Sequence, residues 1–183
     1  MIQPSIGLIE TNSIAKGIEA SDAMMKTAGV ELVDAYAICP GKYLILITGA
    51  LSDVESSMSS GAEIASGTLI DKMLIPNVSS QIVPAILGTS DVDDIDAVGV
   101  VETFTVASCI LAADAAAKAA SVKLIEIRLA KGLGGKSYFT LTGEVGAVRS
   151  AVNAAVKIIK DEGVLVQKVV IPQAHKELKR TLL

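Results

Sequence analysis

Ile6-Gly7-Leu8-Ile9-Glu10-Thr11 returns later in the chain as Val98-Gly99-Val100-Val101-Glu102-Thr103, and this recurrence decides how the 183 residues are organised. Working outward from it, Asp22-Ala23 and Lys26 return as Asp114-Ala115 and Lys118, and Val30-Glu31-Leu32-Val33 as Val122-Lys123-Leu124-Ile125. Gly41-Lys42 return as Gly135-Lys136, Thr48-Gly49 as Thr142-Gly143, and Ile75-Pro76 as Ile171-Pro172. The offset grows from 92 to 94 to 96 residues along the chain, so the copies differ by short loop insertions. So many ordered matches imply two homologous domains, over 1–88 and 97–183, joined by an acidic, Gly-containing linker over 88–97.

Each copy presents the same order of elements. In the first, a short apolar strand over 6–10 leads to a helix opening near Ser13 and closing at Gly29, a residue suited to the left-handed position after a helix. Ile14, Ile18, Met25 and Ala28 fall on one face of that helix. Two strands follow over 31–38 and 42–48, separated by a tight loop containing Pro40-Gly41. A second helix is predicted from Ser52, with Glu55 three residues on as a capping box, and a last strand ends at Pro76. The pattern βαββαβ is the split-βαβ, ferredoxin-like arrangement, so the fold class is α+β with an antiparallel sheet and helices in each domain. Helical periodicity returns weakly over 79–87 and 175–183.

Composition narrows the function classes. Apolar residues make up 51% of the chain but aromatics only 3%, and there is no Trp, so the apolar content is mostly Ala, Val, Ile and Leu. Charged residues are 20%, below the usual quarter, which fits a chain that hides apolar surface in subunit contacts. A net charge of -4 with no basic cluster argues against nucleic acid as a partner. No apolar run reaches the roughly 20 residues that span a bilayer, and the opening Met1-Ile2-Gln3-Pro4-Ser5 lacks the basic region of a secretory signal. Two cysteines, Cys39 and Cys109, are too few for a disulfide scaffold, so the cytoplasm is the expected compartment.

The repeated residues resemble the bacterial microcompartment (BMC) shell domain. Its members share an opening G-x-[VIL]-E-T, a helix with D-x-x-x-K, a Gly-rich turn before a strand, and then T/R-G-[DE]-V-x-x-V. The second copy follows this closely through Gly99 to Thr103, Asp114 to Lys118 and Thr142-Gly143-Glu144-Val145-Gly146-Ala147-Val148. The first matches through Gly7 to Thr11, Asp22 to Lys26 and Thr48-Gly49, with a degraded Ala50-Leu51-Ser52-Asp53-Val54. The resemblance implies a structural tile and not an enzyme. Single-domain members form hexagonal tiles, so two copies per chain imply a homotrimer of pseudo-hexameric shape. Such tiles pack edge to edge with other shell proteins into the microcompartment shell within the cytoplasm. The resemblance assigns Lys26 and Lys118 to shell edge contacts; without the motif, each reads as a solvated helix charge. Asn77 and Gln173 depart from the Arg that often follows the late Pro in the family.

The loop between the second and third strands faces the pore in this family, and the two copies differ there. The second reads Ala130-Lys131-Gly132-Leu133-Gly134-Gly135-Lys136; the first is two residues shorter, Ala37-Ile38-Cys39-Pro40-Gly41-Lys42-Tyr43. The segment Ile38, Cys39, Pro40, Gly41, with Ser13-Ile14-Ala15-Lys16-Gly17 and Asp22-Ala23-Met24, is similar to tandem-domain shell proteins of the PduT type. In that type the matching Cys, one from each subunit, holds a [4Fe-4S] cluster on the threefold axis, which implies electron transport across the shell and a redox enzyme in the lumen as a partner. Three thiolates and one further ligand can hold four irons, although four Cys is usual. Pro40 removes a backbone donor and Gly41 permits close approach to the axis. Two other readings stand beside this one. Cys39 lines a pore that conducts small metabolites or ions with no cluster, or the chain is a ferredoxin-like sensor binding an effector between its domains.

Other signals carry less. The segment Gly132 to Ser137 invites a phosphate-loop reading, but the required earlier Gly is Ala130 and a strand follows instead of a helix. His175 is the sole His, which cannot make a zinc site within one chain. No G-x-S-x-G elbow is present. Cys109 sits among Val106, Ala107, Ala112 and Ala113 as an expected core residue, and Glu10 and Glu102 are expected to be structural.

Overall fold

A computed structural model describes residues 4–182. The chain divides into two compact units between Val78 and Ser79. In the first unit, β1 (Ser5–Thr11), α1 (Ile14–Thr27), β2 (Glu31–Ile38), β3 (Lys42–Gly49), α2 (Leu51–Ala65) and β4 (Leu69–Ile75) follow in order. The four strands make one antiparallel sheet in the order β2-β3-β1-β4. Residues 6–9 and 44–47 are nearly continuous apolar runs because the two central strands are buried on both faces. Ile9, Ile45 and Ile47 pack with Ala20 and Met24 of α1 and Val54, Met58 and Ala65 of α2 into one cluster.

The second unit repeats this plan. It begins with a short helix, α3 (Ile82–Leu87), and continues with β5 (Ala97–Thr103), α4 (Val106–Ala119), β6 (Lys123–Leu129), β7 (Ser137–Gly143), α5 (Val145–Ile159), β8 (Leu165–Ile171) and α6 (Lys176–Leu182). Its sheet runs β6-β7-β5-β8, the same order as the first. Residues 79–88, which the repeat assigns by descent to the first domain, pack within the second unit, with α3 lying against β6. The α+β, ferredoxin-like arrangement expected from the repeat is therefore present twice.

Two local expectations need correction. The helix α1 does not end in a left-handed Gly29: it gives way to extended backbone at Ala28 (φ -150°). The second helix has no capping box at Ser52. It starts one residue earlier, its N-cap is Ala50, and backbone N–H groups of Asp53 and Val54 donate to the Ala50 carbonyl. The direction of the apolar face, which the periodicity left open, is outward: Ile14, Ile18 and Met25 are 43%, 54% and 37% exposed, while Gly17, Ala20 and Met24 face the core.

Candidate functional site

The repeated Gly-x-x-Glu-Thr is explained by three separate contacts. A Cβ on Gly7 would lie 2.7 Å from Met58 Sδ and 2.8 Å from Val54 Cγ1, so only Gly lets α2 sit on β1 there. Gly99 meets the same limit from Leu141 and Val152, each at 2.8 Å. Thr11 and Thr103 donate from Oγ1 to the carbonyls of Ser13 and Thr105, each at 2.8 Å, and so fix the entry to the helix. Glu10 accepts an ion-pair hydrogen bond from Lys42 Nζ at 2.6 Å, with its side chain only 5% exposed. Glu102 accepts the equivalent bond from Lys136 Nζ at 2.5 Å.

That last contact is a feature the sequence reading missed as a pair. Glu10 is the penultimate residue of β1, beside the strand that leaves the β2–β3 turn, and Lys42 is the first residue of that strand. The ion pair thus ties the turn's base to the centre of the sheet. The signal was available, since both the Glu and the Lys recur in both copies. Holding a carboxylate this buried requires its partner to stay, because an unpaired buried charge is costly.

The turn itself is Cys39-Pro40-Gly41, closed by the Ile38–Lys42 strand pair. Ile38 is buried at 5% exposure, whereas Cys39, Pro40 and Gly41 are exposed. Gly41 has φ +76°, in the left-handed region, and the Cys39–Pro40 bond is cis. The result is a short turn with a buried root and a thiol at its tip. The longer loop of the second copy adopts positive φ at Ala130, Gly132, Gly134 and Gly135 and carries no thiol.

The four turn residues singled out from the sequence therefore lie together, and the two lysines lie elsewhere. Lys26, in the last turn of α1, pairs with Asp22 at 2.6 Å. It precedes the start of β2, while Cys39 follows its end, a strand length of about 25 Å away. Lys118 pairs with Asp114 at 2.6 Å in the same way on α4. Cys109 is fully buried in the second unit, and burial pushes its thiol up to about 12 against a smaller opposing hydrogen bond with Thr103. It is a core residue.

A metal site needs converging ligands, and among the described residues no group of three His, Cys, Asp or Glu side chains converges. A single chain offers one exposed thiol. The donor chemistry at Cys39 fits a cluster only if other chains bring their own Cys39 to the same point.

Comparison with known proteins places this architecture. The BMC domain matches residues 5–78 and again 97–174. The bacterial microcompartment shell protein PduT of Citrobacter freundii is 42% identical over 178 residues, covering 97% of each chain. The shell protein PduA of the same organism is 35% identical over 65 residues, 36% of this chain and 70% of that one. A crystal structure of a microcompartment protein from Desulfitobacterium hafniense superposes with a TM-score of 0.95 at 49% identity, covering 97% of this chain and 99% of that one. With the domain present in two copies on the fold it requires, this chain belongs to the bacterial microcompartment shell protein family.

Proposed function

We propose that three copies of this chain close into a pseudo-hexameric shell tile whose central pore is ringed by the three β2–β3 turns, and that the three Cys39 thiols there hold a [4Fe-4S] cluster. The observation that carries the reading is the turn: one exposed thiol per chain, on a three-residue connection rooted by Ile38 and braced through Lys42 and Glu10. A threefold axis turns that single donor into three. When bound, the cluster would supply one-electron transfer, here between the two faces of the shell. What the chain does is hold the thiols: Gly41 permits the tight reversal, and the buried root limits how far the sulfurs can drift. Lys26 and Lys118 are proposed to line the tile edge against other shell proteins, and a redox enzyme in the lumen would receive or donate the electrons.

Anaerobic purification with iron and sulfide, followed by iron analysis, visible absorbance and electron paramagnetic resonance, tests the cluster. Wild type is expected to bind about four irons per three chains and Cys39→Ala none. Equal, iron-free spectra for both proteins would remove the redox role and leave a tile whose pore passes small metabolites or ions with Cys39 in its lining.

A further inference from the structure

The two copies bury the same surface to different extents. On α4 and β6 the positions Val106, Ile110, Leu124 and Ile127 are at most 2% exposed. Their counterparts in the first unit are Ile14 at 43%, Ile18 at 54%, Leu32 at 44% and the half-buried Ala35. The acid-base pair on this face repeats the contrast. Asp114 and Asp22 each hold a lysine at 2.6 Å, yet their side chains are 9% and 63% exposed.

Part of the cover on the second copy is visible. Ser79 N–H donates to Asp114 Oδ1 at 2.8 Å. The Gln81 amide pairs with the outer edge of β6, accepting from Leu124 N–H at 2.8 Å and donating to the Val122 carbonyl at 3.1 Å. Ile82, at 0% exposure, and α3 then lie against β6. This segment is the tail of the first repeat, placed on the face of the second.

The tail of the second repeat is the corresponding segment. At the repeat's late offset of 96 residues, Ser79, Gln81 and Ile82 correspond to His175, Glu177 and Leu178. Leu178 is 37% exposed, against 0% for Ile82. The face awaiting a tail is α1 and β2. Leu32 pairs with Ile47 as Leu124 pairs with Leu141, so the Leu32 N–H points away from β3 as the Leu124 N–H points away from β7. Charge favours the match. Between residues 176 and 182 the tail carries Lys176, Lys179 and Arg180 against Glu177 alone, and β2 carries Glu31 and Asp34 with no basic residue. In the pair already formed, α3 carries no charge.

We propose that residues 175–182 of one chain dock on the α1–β2 face of a second copy's first unit, with Leu178 covering Leu32 and Glu177 accepting from the Leu32 N–H. The contact is head-to-tail, the kind that closes rings. It rests on the trimer reading and names the surface that joins neighbours. Glu177 cannot reproduce both bonds of Gln81, because a carboxylate has no donor for the Val30 carbonyl. In the structure its carboxylate accepts from Arg180 at 3.4 Å.

Light scattering and native mass spectrometry across protein concentration test this with three substitutions in the full chain and one truncation. Leu32→Glu and Leu178→Glu should each raise the trimer dissociation constant by at least about tenfold. Both sites are exposed, so circular dichroism should match wild type. A chain ending at Ala174 should dissociate likewise, with some loss of stability because Leu182 leaves its packing against Ile95, Val98 and Ile125. Glu177→Gln should lower the constant severalfold, an improvement that a merely structural role for the tail would not produce. A wild-type trimer whose constant is unmoved by all four variants overturns the docking while leaving the ring intact. A monomeric wild type sinks the ring reading, and the docking with it.

Discussion

At the scale of single residues, the two cysteines show how burial decides chemistry. Cys109 and Cys39 are the same side chain, but only Cys39 is open to solvent. With its thiol pushed up to about 12 by desolvation, Cys109 is about one ten-thousandth thiolate at pH 8. Iodoacetamide at that pH should therefore modify one thiol per native chain and two per unfolded chain, read by mass spectrometry. The same shift has a stability consequence. The unfolded thiol ionises near 9 and the folded one near 12, so the unfolded state holds fewer protons between those values. Stability contributed by the buried thiol is present below pH 9 and falls by up to about 1.4 kcal/mol per pH unit above it. Denaturant titrations at pH 8 and pH 10.5 should show a smaller alkaline loss in Cys109→Ala than in wild type, even though the variant starts lower because it opens a cavity.

At the scale of elements, corresponding helices begin differently. The Glu144 carboxylate caps α5 by accepting from the Gly146 and Ala147 N–H groups, whereas Ala50 offers α2 no side-chain cap. Glu144→Ala should cost about 1 kcal/mol, and Ala50→Asp should add a comparable amount, both measurable as shifts in the urea midpoint. The difference also shows what the sequence can and cannot tell. The order and type of elements were legible because the apolar periods, turn residues and Gly-x-x-Glu-Thr repeat all point the same way. Cap details at Ser52 and Gly29 were not, since a one-residue change in where a helix starts or ends exchanges one partner for another. The stripe of Ile14, Ile18 and Met25 was legible as a face, but periodicity reports that a face is apolar and not which neighbour it meets. For the turn, sequence placed Cys39 correctly at a tight connection. The Lys42–Glu10 brace escaped because it joins residues far apart in sequence, whose closeness depends on β1 and β3 pairing.

At the scale of the whole molecule, duplication gives two surfaces of common descent with opposite fates, and that makes a controlled comparison. Ile18 and Ile110 occupy the same helix position; one is 54% exposed and the other 0%. Placing a charge at Ile110 leaves it buried without a partner, which should cost more than about 3 kcal/mol and unfold much of the protein. At Ile18 the same charge stays in water within one chain, so a monomer should barely notice it, within about 0.5 kcal/mol. If three chains close over that face, the substitution instead weakens association. Wild type should then scatter light as a species of about 56 kDa, three times the 18.8 kDa chain, with a melting temperature that rises with protein concentration. Ile18→Asp should keep its circular dichroism, scatter as a single chain at micromolar concentration and lose the concentration dependence of its melt. An unchanged mass and melt for Ile18→Asp would mean that this outward stripe is ordinary solvent-facing surface, and the burial contrast between the copies would then have no bearing on assembly.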